Sequence, residues 1–264
     1  MKQVNLSYTE QGQGAPLVLL HGFPFNSSLW RHQARNLGDI CRVIMPDLRG
    51  FGQSEVTEGI YDMDVLAQDV LQLLDRLGIE KAAIMGHSMG GYVTLALWRL
   101  APGRFSALGL IASHVWADSE AQLQAREQLI AQVLEHGASA AAQAMLPRLF
   151  ARKPSADEPI QEQARAMILE ARPASLVGAL RGMMRRPDSS DLLPQISVPT
   201  LLLCGDSDPI VPTKCAEEMA RQLTNAMLVV VEKAAHMPML EQPQATALAM
   251  RTFLNSVRHP QVES

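Results

Sequence analysis

Residues 81–100 read KAAIMGHSMGGYVTLALWRL, in which an apolar run leads through a glycine-flanked serine into a helical pattern. A Gly-x-Ser-x-Gly pentapeptide arises by chance in roughly one chain in ten of this length, so its setting between a strand and a helix decides what it means. Because Gly86 and Gly90 carry no Cβ, strand and helix approach closely, and Ser88 is placed on a sharp turn with its hydroxyl clear of the sheet. The start of the helix supplies free N–H groups beside it. We therefore predict Ser88 as a nucleophile, rather than as a serine that only caps the helix.

The rest of the chain alternates short apolar runs with amphipathic stretches, a pattern typical of an α/β fold with a mainly parallel sheet flanked by helices. The predicted strands are continuous apolar runs at 17–20, 42–45, 82–85, 107–112, 200–204 and 227–231. Residues 3–8 alternate instead, which predicts an edge strand with one solvated face. Helical patterns occupy 63–77, 89–100, 213–223 and 241–256.

The alternation of strands and helices stops after residue 112, and no strand-like run occurs between about 118 and 187. Helical patterns fill this block at 119–135, 138–150, 158–171 and 174–185. The block is too long and too helical for a loop. We predict a helical cap at 118–187, inserted into a core domain of residues 1–117 and 188–264. Its expected place is over the carboxyl edge of the sheet, where open α/β sheets bind ligands.

Composition and charge exclude several classes of partner. With 47% hydrophobic and 19% charged residues, the 264-residue chain can bury a sizeable core. Its net charge is −4 and it has no Lys/Arg tract, so neither a nucleic-acid nor a membrane partner is expected. The three cysteines form no C-x-x-C pair, and the first residues lack the apolar core of a secretory signal. We expect reduced thiols in a soluble, cytoplasmic protein.

A serine nucleophile needs a general base, and the base needs an orienting carboxylate. After a strand–turn–helix serine, the chain order is acid and then histidine. Of the seven histidines, His136, His236 and His259 fall well after Ser88. His136 stands at a predicted helix end, where a capping role is expected, and His259 lies in the polar tail. His236 follows the last predicted strand, so it is the predicted base.

Two aspartates follow the strand at 200–204 and compete for the role of the acid. Asp208 precedes Pro209, which favours an extended conformation at the aspartate. Asp206 can instead bond locally within the turn, as such residues often do. The residues favour Asp208 but leave turn chemistry open for both aspartates.

The loop after the strand at 17–20 reads His21-Gly22-Phe23-Pro24. In a sheet of this kind, an oxyanion hole takes one backbone N–H from this loop and one from the residue after the nucleophile. We therefore predict Phe23 and Met89 as the donors, through their backbone. His21 is predicted to hold the loop by hydrogen bonding and not to act as a second base.

These segments together resemble the α/β-hydrolase superfamily. The residues that carry the resemblance are HGFPFN (21–26), PDLRGFGQS (46–54), GHSMGG (86–91), GDSDPIVP (205–212) and AAHMPMLEQP (234–243). The similarity runs from about residue 3 to 255 and is greatest to small esterases, 3-oxoadipate enol-lactonases and cofactor-free haloperoxidase-like enzymes. It implies a catalytic triad of Ser88, Asp208 and His236, although a glycine commonly stands where Ala235 precedes the histidine.

The resemblance also implies an activity, namely hydrolysis of small carboxylic esters or lactones through an acyl-enzyme on Ser88. No metal or organic cofactor is expected, because the sequence carries no H-E-x-x-H, no Cys/His cluster and no dinucleotide glycine pattern. Relatives with an aspartate at the turn, the haloalkane dehalogenases and epoxide hydrolases, are not matched by Ser88. The alternatives are an enol-lactonase of aromatic degradation, a carbon–carbon bond hydrolase or a perhydrolase with the same triad, and a ligand-binding receptor on this scaffold.

The substrate pocket is predicted from apolar residues on loops and strand ends near the triad. These are Phe23, Phe25, Trp30, Met89, Trp116 and Met237, each of which is alternatively plain core. If they line a pocket, a small and largely apolar acyl ester fits best. Arg181 and Arg185 of the cap are predicted to be solvated in preference to anchoring a substrate carboxylate.

Overall fold

The apolar runs of the sequence form one seven-stranded sheet in the computed structural model, which describes residues 3–151 and 159–258. The strands are β1 (Tyr8–Gln11), β2 (Ala15–Leu20), β3 (Cys41–Pro46), β4 (Ala82–His87), β5 (Phe105–Ile111), β6 (Thr200–Gly205) and β7 (Ala226–Val231). Their order across the sheet is β1-β3-β2-β4-β5-β6-β7, and only β1 runs antiparallel to its neighbour. The predicted α/β class is therefore confirmed. Strands such as β4 and β6 are buried along their whole length, which is why their sequences do not alternate.

The described residues also form α-helices. They are α1 (Arg31–Leu37), α2 (Met63–Arg76), α3 (Met89–Leu100), α4 (Glu120–His136), α5 (Ala138–Leu149), α6 (Pro159–Glu170), α7 (Pro173–Arg185), α8 (Thr213–Gln222), α9 (Pro238–Glu241) and α10 (Pro243–Arg258). The helix predicted at 241–256 is divided into α9 and α10, because Pro243 disfavours a helical conformation at Gln242. Helix α1 was not predicted.

The edge strand is displaced from its predicted position. β1 covers Tyr8–Gln11 instead of residues 3–8, and its first residue lies opposite Pro46. Because Pro46 is the last residue of β3, the backbone before β1 has no strand to pair with. Val4 and Leu6 are nevertheless only 1% and 2% exposed. The alternation of apolar residues in the sequence therefore reflects burial of their side chains and not pairing in the sheet.

Helices α4–α7 all lie between β5 and β6, where the helical block was predicted. The two chain segments that connect them to the sheet run side by side, since the Ser189 N–H donates to the Val115 carbonyl over 2.9 Å. Asp118 accepts from Arg126 Nε at 2.6 Å and from Arg186 Nη1 at 2.8 Å, and these three residues are called the Asp118 cluster below. The limits of a cap at 118–187 stay a prediction.

The thiols of Cys41, Cys204 and Cys215 are free. Burial raises the pKa of Cys204 to about 11, so this thiol is neutral in the core. Across residues 3–151 and 159–258, no helix has the length and apolar character needed to cross a bilayer.

One ion pair is completely enclosed by the fold. Arg49, in the loop after β3, donates through Nε and Nη2 to the two carboxylate oxygens of Asp69 on α2, both at 2.7 Å. Both side chains are 2% exposed. A buried pair of this geometry fixes the loop to the helix, and loss of one partner leaves an uncompensated charge in the core.

We expect Asp69→Asn to lower the free energy of unfolding by about 3–5 kcal/mol, because it leaves the buried Arg49 guanidinium without its negatively charged partner. Urea denaturation followed by circular dichroism measures this change. The control is Glu10→Gln, which breaks the half-exposed Arg42–Glu10 pair and should cost less than about 1 kcal/mol. Equal effects of the two substitutions would contradict the role given to the enclosed pair.

Candidate active site

Ser88 lies on a strained turn between the end of β4 and the start of α3. Its backbone has φ 50° and ψ −114°, a left-handed conformation that is uncommon for a residue other than glycine. A Cβ on Gly86 would lie 2.0 Å from the Gly90 carbonyl oxygen, so strand and helix can meet only at glycine. The turn is held from both sides, because the Ser88 N–H donates to the Ile111 carbonyl and the Ser88 carbonyl accepts from Ser113 Oγ.

His236 and Asp208 form a hydrogen bond at the carboxyl ends of β7 and β6. His236 Nδ1 is 2.8 Å from Asp208 Oδ2, and the two residues are 2% and 5% exposed. The other oxygen of Asp208 accepts the N–H groups of Ile210 and Val211 at 2.8 and 3.0 Å. Burial alone would raise the pKa of Asp208, but His236 and these N–H donors outweigh it and hold the pKa below its ordinary value. The carboxylate accepts the Nδ1 proton, which leaves Nε2 of His236 as the basic nitrogen.

Asp206, the competing aspartate, has a different set of contacts. Its carboxylate accepts from the Lys233 N–H at 2.9 Å and from Ser207 Oγ at 2.8 Å, and it is exposed. The Lys233 N–H is the main cause of its lowered pKa. Asp206 therefore joins the loops after β6 and β7, and Asp208 alone of the two is paired with His236. His136, weighed earlier as a base, is exposed at the end of α4, and His259 lies outside the described residues.

His87 connects the three loops that meet at this edge of the sheet. Its Nε2 is 2.9 Å from the carbonyl oxygen of His236, and the two imidazole rings are 5.0 Å apart. A Cβ on Gly22, in the loop after β2, would lie 2.5 Å from Nδ1 of His87. Burial, with a smaller contribution from His236, lowers the pKa of His87 to about 3, so the ring is neutral. Sequence reasoning gave this residue no role, although it directly precedes Ser88.

The loop after β2 is held by His21. The Leu48 N–H donates to His21 Nε2 at 2.9 Å, so Nδ1 carries the proton and donates to the Gly22 carbonyl at 3.0 Å. Burial lowers the pKa of His21, which makes it a neutral structural residue. In the described part of the chain, the N–H groups of Phe23 and Met89 donate to no backbone carbonyl. Both are therefore available to an oxyanion.

A cavity of about 330 Å³ lies between these loops and the inserted helices. Phe23 and Ile210, which follow β2 and β6, line it on the side of the sheet. Helices α4, α5 and α7 line the other side, with the polar residues Gln122, Arg126, Gln128, Gln132 and Arg148 and with apolar residues such as Leu129, Met145 and Leu180. The volume is at the lower end of the range for small-molecule sites.

The predicted aromatic lining is wrong for this cavity, with the exception of Phe23. Phe25, Trp30 and Met237 are 0% exposed, so they have no surface to offer a ligand. The rings of Phe25 and Trp30 instead pack on His87, each 6.4 Å away. The side chain of Met89 is also fully buried and cannot contact a ligand. Only its backbone N–H, the predicted oxyanion donor, could take part in the reaction.

Trp116 does not line this cavity either. Its ring stacks on that of His114, with 5.8 Å between the ring centroids. Among the cap arginines considered from sequence, Arg181 is exposed and Arg185 is 3.5 Å from Asp62 at the surface, and neither lines the cavity. The arginines that do line it lie on α4 and α5. Helix patterns alone could not reveal them, since the face that a helix turns inward depends on how it docks.

Glu241 joins the inserted helices to the loop that carries His236. Its carboxylate oxygens accept the Ala151 N–H at 2.6 Å and the Ala235 N–H at 2.7 Å. The His236 N–H itself donates to the carbonyl of Leu149, the last residue of α5, at 3.1 Å. Burial is the main cause of the raised pKa of Glu241. This residue was missed from sequence, because one of its partners is 90 positions away.

Comparison with known proteins gives one consistent result. The α/β hydrolase fold model matches residues 15–243. The chain is 32% identical over 247 residues to 3-oxoadipate enol-lactonase 2 of Acinetobacter baylyi, covering 92% of this chain and 91% of that one. It is 29% identical over 256 residues to a pimeloyl-(acyl-carrier protein) methyl ester esterase of Vibrio campbellii, covering 94% and 98%. A thermophilic esterase from Thermogutta terrifontis, solved with malate bound, is 39% identical with a TM-score of 0.93, covering 96% and 94%. With its sheet order and the match over most of its length, the chain belongs to the α/β-hydrolase family.

Proposed function

We propose that the protein hydrolyses small carboxylic esters or lactones through an acyl-enzyme on Ser88. The observation that carries this proposal is the buried His236–Asp208 hydrogen bond of 2.8 Å at the sheet edge where the Ser88 turn lies. A strained serine, an imidazole and an ionised carboxylate bonded to that imidazole, all at one edge, are the parts that acyl transfer needs. The esterases and lactonase to which the chain is similar support the same class of reaction.

In the proposed mechanism, Nε2 of His236 accepts the Ser88 hydroxyl proton while Oγ attacks the ester carbonyl. Asp208 keeps the proton of the imidazole on Nδ1 and stabilises the cation that forms. The N–H groups of Phe23 and Met89 bind the oxyanion. His236 then gives its proton to the departing alcohol, which leaves the acyl group on Ser88. Water, deprotonated by the same imidazole, releases the acid and restores the hydroxyl.

Two neighbouring residues, His87 and Glu241, support His236 in the proposed reaction. With its pKa lowered to about 3, His87 stays neutral and adds no positive charge beside the imidazolium formed on His236. Its hydrogen bond to the His236 carbonyl also holds the backbone of the base. Glu241 acts as a second positioning residue, because it fixes the N–H of Ala235, the residue before the base.

We expect Ser88→Ala to reduce hydrolysis of 4-nitrophenyl acetate and butyrate by at least about a thousandfold, because no other nucleophile takes over its role. Release of 4-nitrophenol is followed by its absorbance at matched enzyme concentrations. Thermal melts of both proteins serve as the folding control. Equal rates for the variant and the wild type would refute the serine hydrolase and leave a binding protein as the alternative.

The two aspartates provide a matched pair for the role of the acid. We expect Asp208→Asn to lower kcat by about 10⁴-fold, because an amide cannot hold the imidazole in the required tautomer. Asp206→Asn changes an exposed carboxylate that has no contact with His236 and should retain most of the wild-type kcat. Steady-state kinetics on 4-nitrophenyl butyrate compare the two variants. A larger loss in Asp206→Asn would transfer the role to that residue.

Glu241→Gln should lower kcat about tenfold and change KM little, since one of the two N–H groups that Glu241 accepts, that of Ala151 or that of Ala235, would face an amide donor. The loop would then place His236 less accurately while the cavity stays intact. Glu218→Gln, an exposed change on α8, is the control. A fall in kcat/KM that comes from KM alone would assign Glu241 to substrate binding instead of positioning.

A further inference from the structure

The wall of the 330 Å³ cavity is electropositive. Two guanidinium groups, those of Arg126 and Arg148, belong to its lining, and no acidic residue is found among the described residues that line it. Three glutamine amides, of Gln122, Gln128 and Gln132, provide further hydrogen-bond donors. Of these groups, Arg126 is paired with Asp118, whereas Arg148 and the three glutamines are exposed to solvent and can be reached by a polar ligand.

The positive charge near Arg126 is built into buried structure. Asp118 is the carboxylate that pairs with Arg126, and it is shared with Arg186, so one negative charge serves two cations. The Asp118 side chain is fully enclosed and that of Arg186 is 4% exposed. The remaining contacts of Arg186 are uncharged: the carbonyls of Met183 and Trp116 and, at 4.0 Å, the ring of Tyr92. The Asp118 cluster therefore carries a net positive charge beside the cavity.

Arg148 has no ion pair or hydrogen bond with any residue that the structure describes. Its place in the fold is nevertheless closely fixed, because the carbonyl of the next residue, Leu149, accepts the His236 N–H. The backbone of Arg148 thus lies one residue from the point where α5 meets the proposed base. Phe23, a proposed oxyanion donor, lines the same cavity.

We propose that this cavity selects small esters or lactones whose acyl part ends in an ionised carboxylate, and that Arg148 binds this group. A guanidinium matches a carboxylate through two parallel N–H···O bonds, which a neutral chain end cannot form. The small volume limits the acyl part to a short chain. The inference deepens the proposed function and rests on it, because it concerns the substrate of the same serine.

The test uses two esters of equal length, 4-nitrophenyl pentanoate and 4-nitrophenyl hydrogen glutarate, which differ by a methyl group against a carboxylate. We expect the wild type to prefer the glutarate ester in kcat/KM, and Arg148→Gln to reduce the ratio of the two values about tenfold. Arg181→Gln, an exposed arginine on α7 outside the cavity, should leave the ratio unchanged. Added salt should weaken the preference, since it screens the ion pair.

Three outcomes would overturn the inference while the serine hydrolase stands: no preference between the esters, an unchanged ratio in Arg148→Gln, or an equal shift in Arg181→Gln. Hydrolysis of both esters that does not depend on Ser88 would instead refute the proposed function. In that case calorimetric titration of the Ser88→Ala protein with glutarate and with pentanoate decides the inference. Tighter binding of glutarate that is lost in Ser88→Ala/Arg148→Gln supports it, and equal binding of the two acids overturns it.

Discussion

A serine can be held at φ 50° here because the backbones of β4 and α3 meet at two glycines. Such a conformation costs of order 1–3 kcal/mol, which the surrounding structure has to offset. The Ser88 N–H and carbonyl are both satisfied by the segment at and after β5, so the strain is not increased by unpaired backbone groups. Every other part of the site is arranged around this turn. Because parallel strands end at one edge, the loops after β2, β6 and β7 converge on it.

Two neutral histidines in the interior help to hold these converging loops. His21 and His87 are both buried with lowered pKa values, and each uses ring nitrogens to bind backbone groups of a neighbouring loop. The ring of His87, which lies beside that of His236, is therefore neutral. In the proposed reaction, His87 does not compete with His236 for the serine proton.

Local patterns were sufficient to predict the α/β class, the inserted helices and the strand–turn–helix position of Ser88. The patterns failed where contacts between distant residues decide the outcome. Val4 and Leu6 alternate although no strand is left to pair with them, and Phe25 and Trp30, which were expected in a pocket, are completely buried. Asp206 and Asp208 are almost equivalent in sequence, and only the hydrogen bond of Asp208 to His236 distinguishes them. Arg148 and Glu241 depend on how α5 docks, which no local pattern contains.

The contacts between α5 and the His236 loop place few demands on the side chains of the inserted helices. On the α5 side, the bonded atoms are the carbonyl oxygen of residue 149 and the N–H of residue 151, both of the main chain. Every amino acid supplies the first, and every one except proline supplies the second. Side chains of α4 and α5 are therefore free to vary through evolution while the base keeps its support. Substitutions in α4 and α5 can therefore change the substrate preference without a compensating change in the proposed catalytic residues.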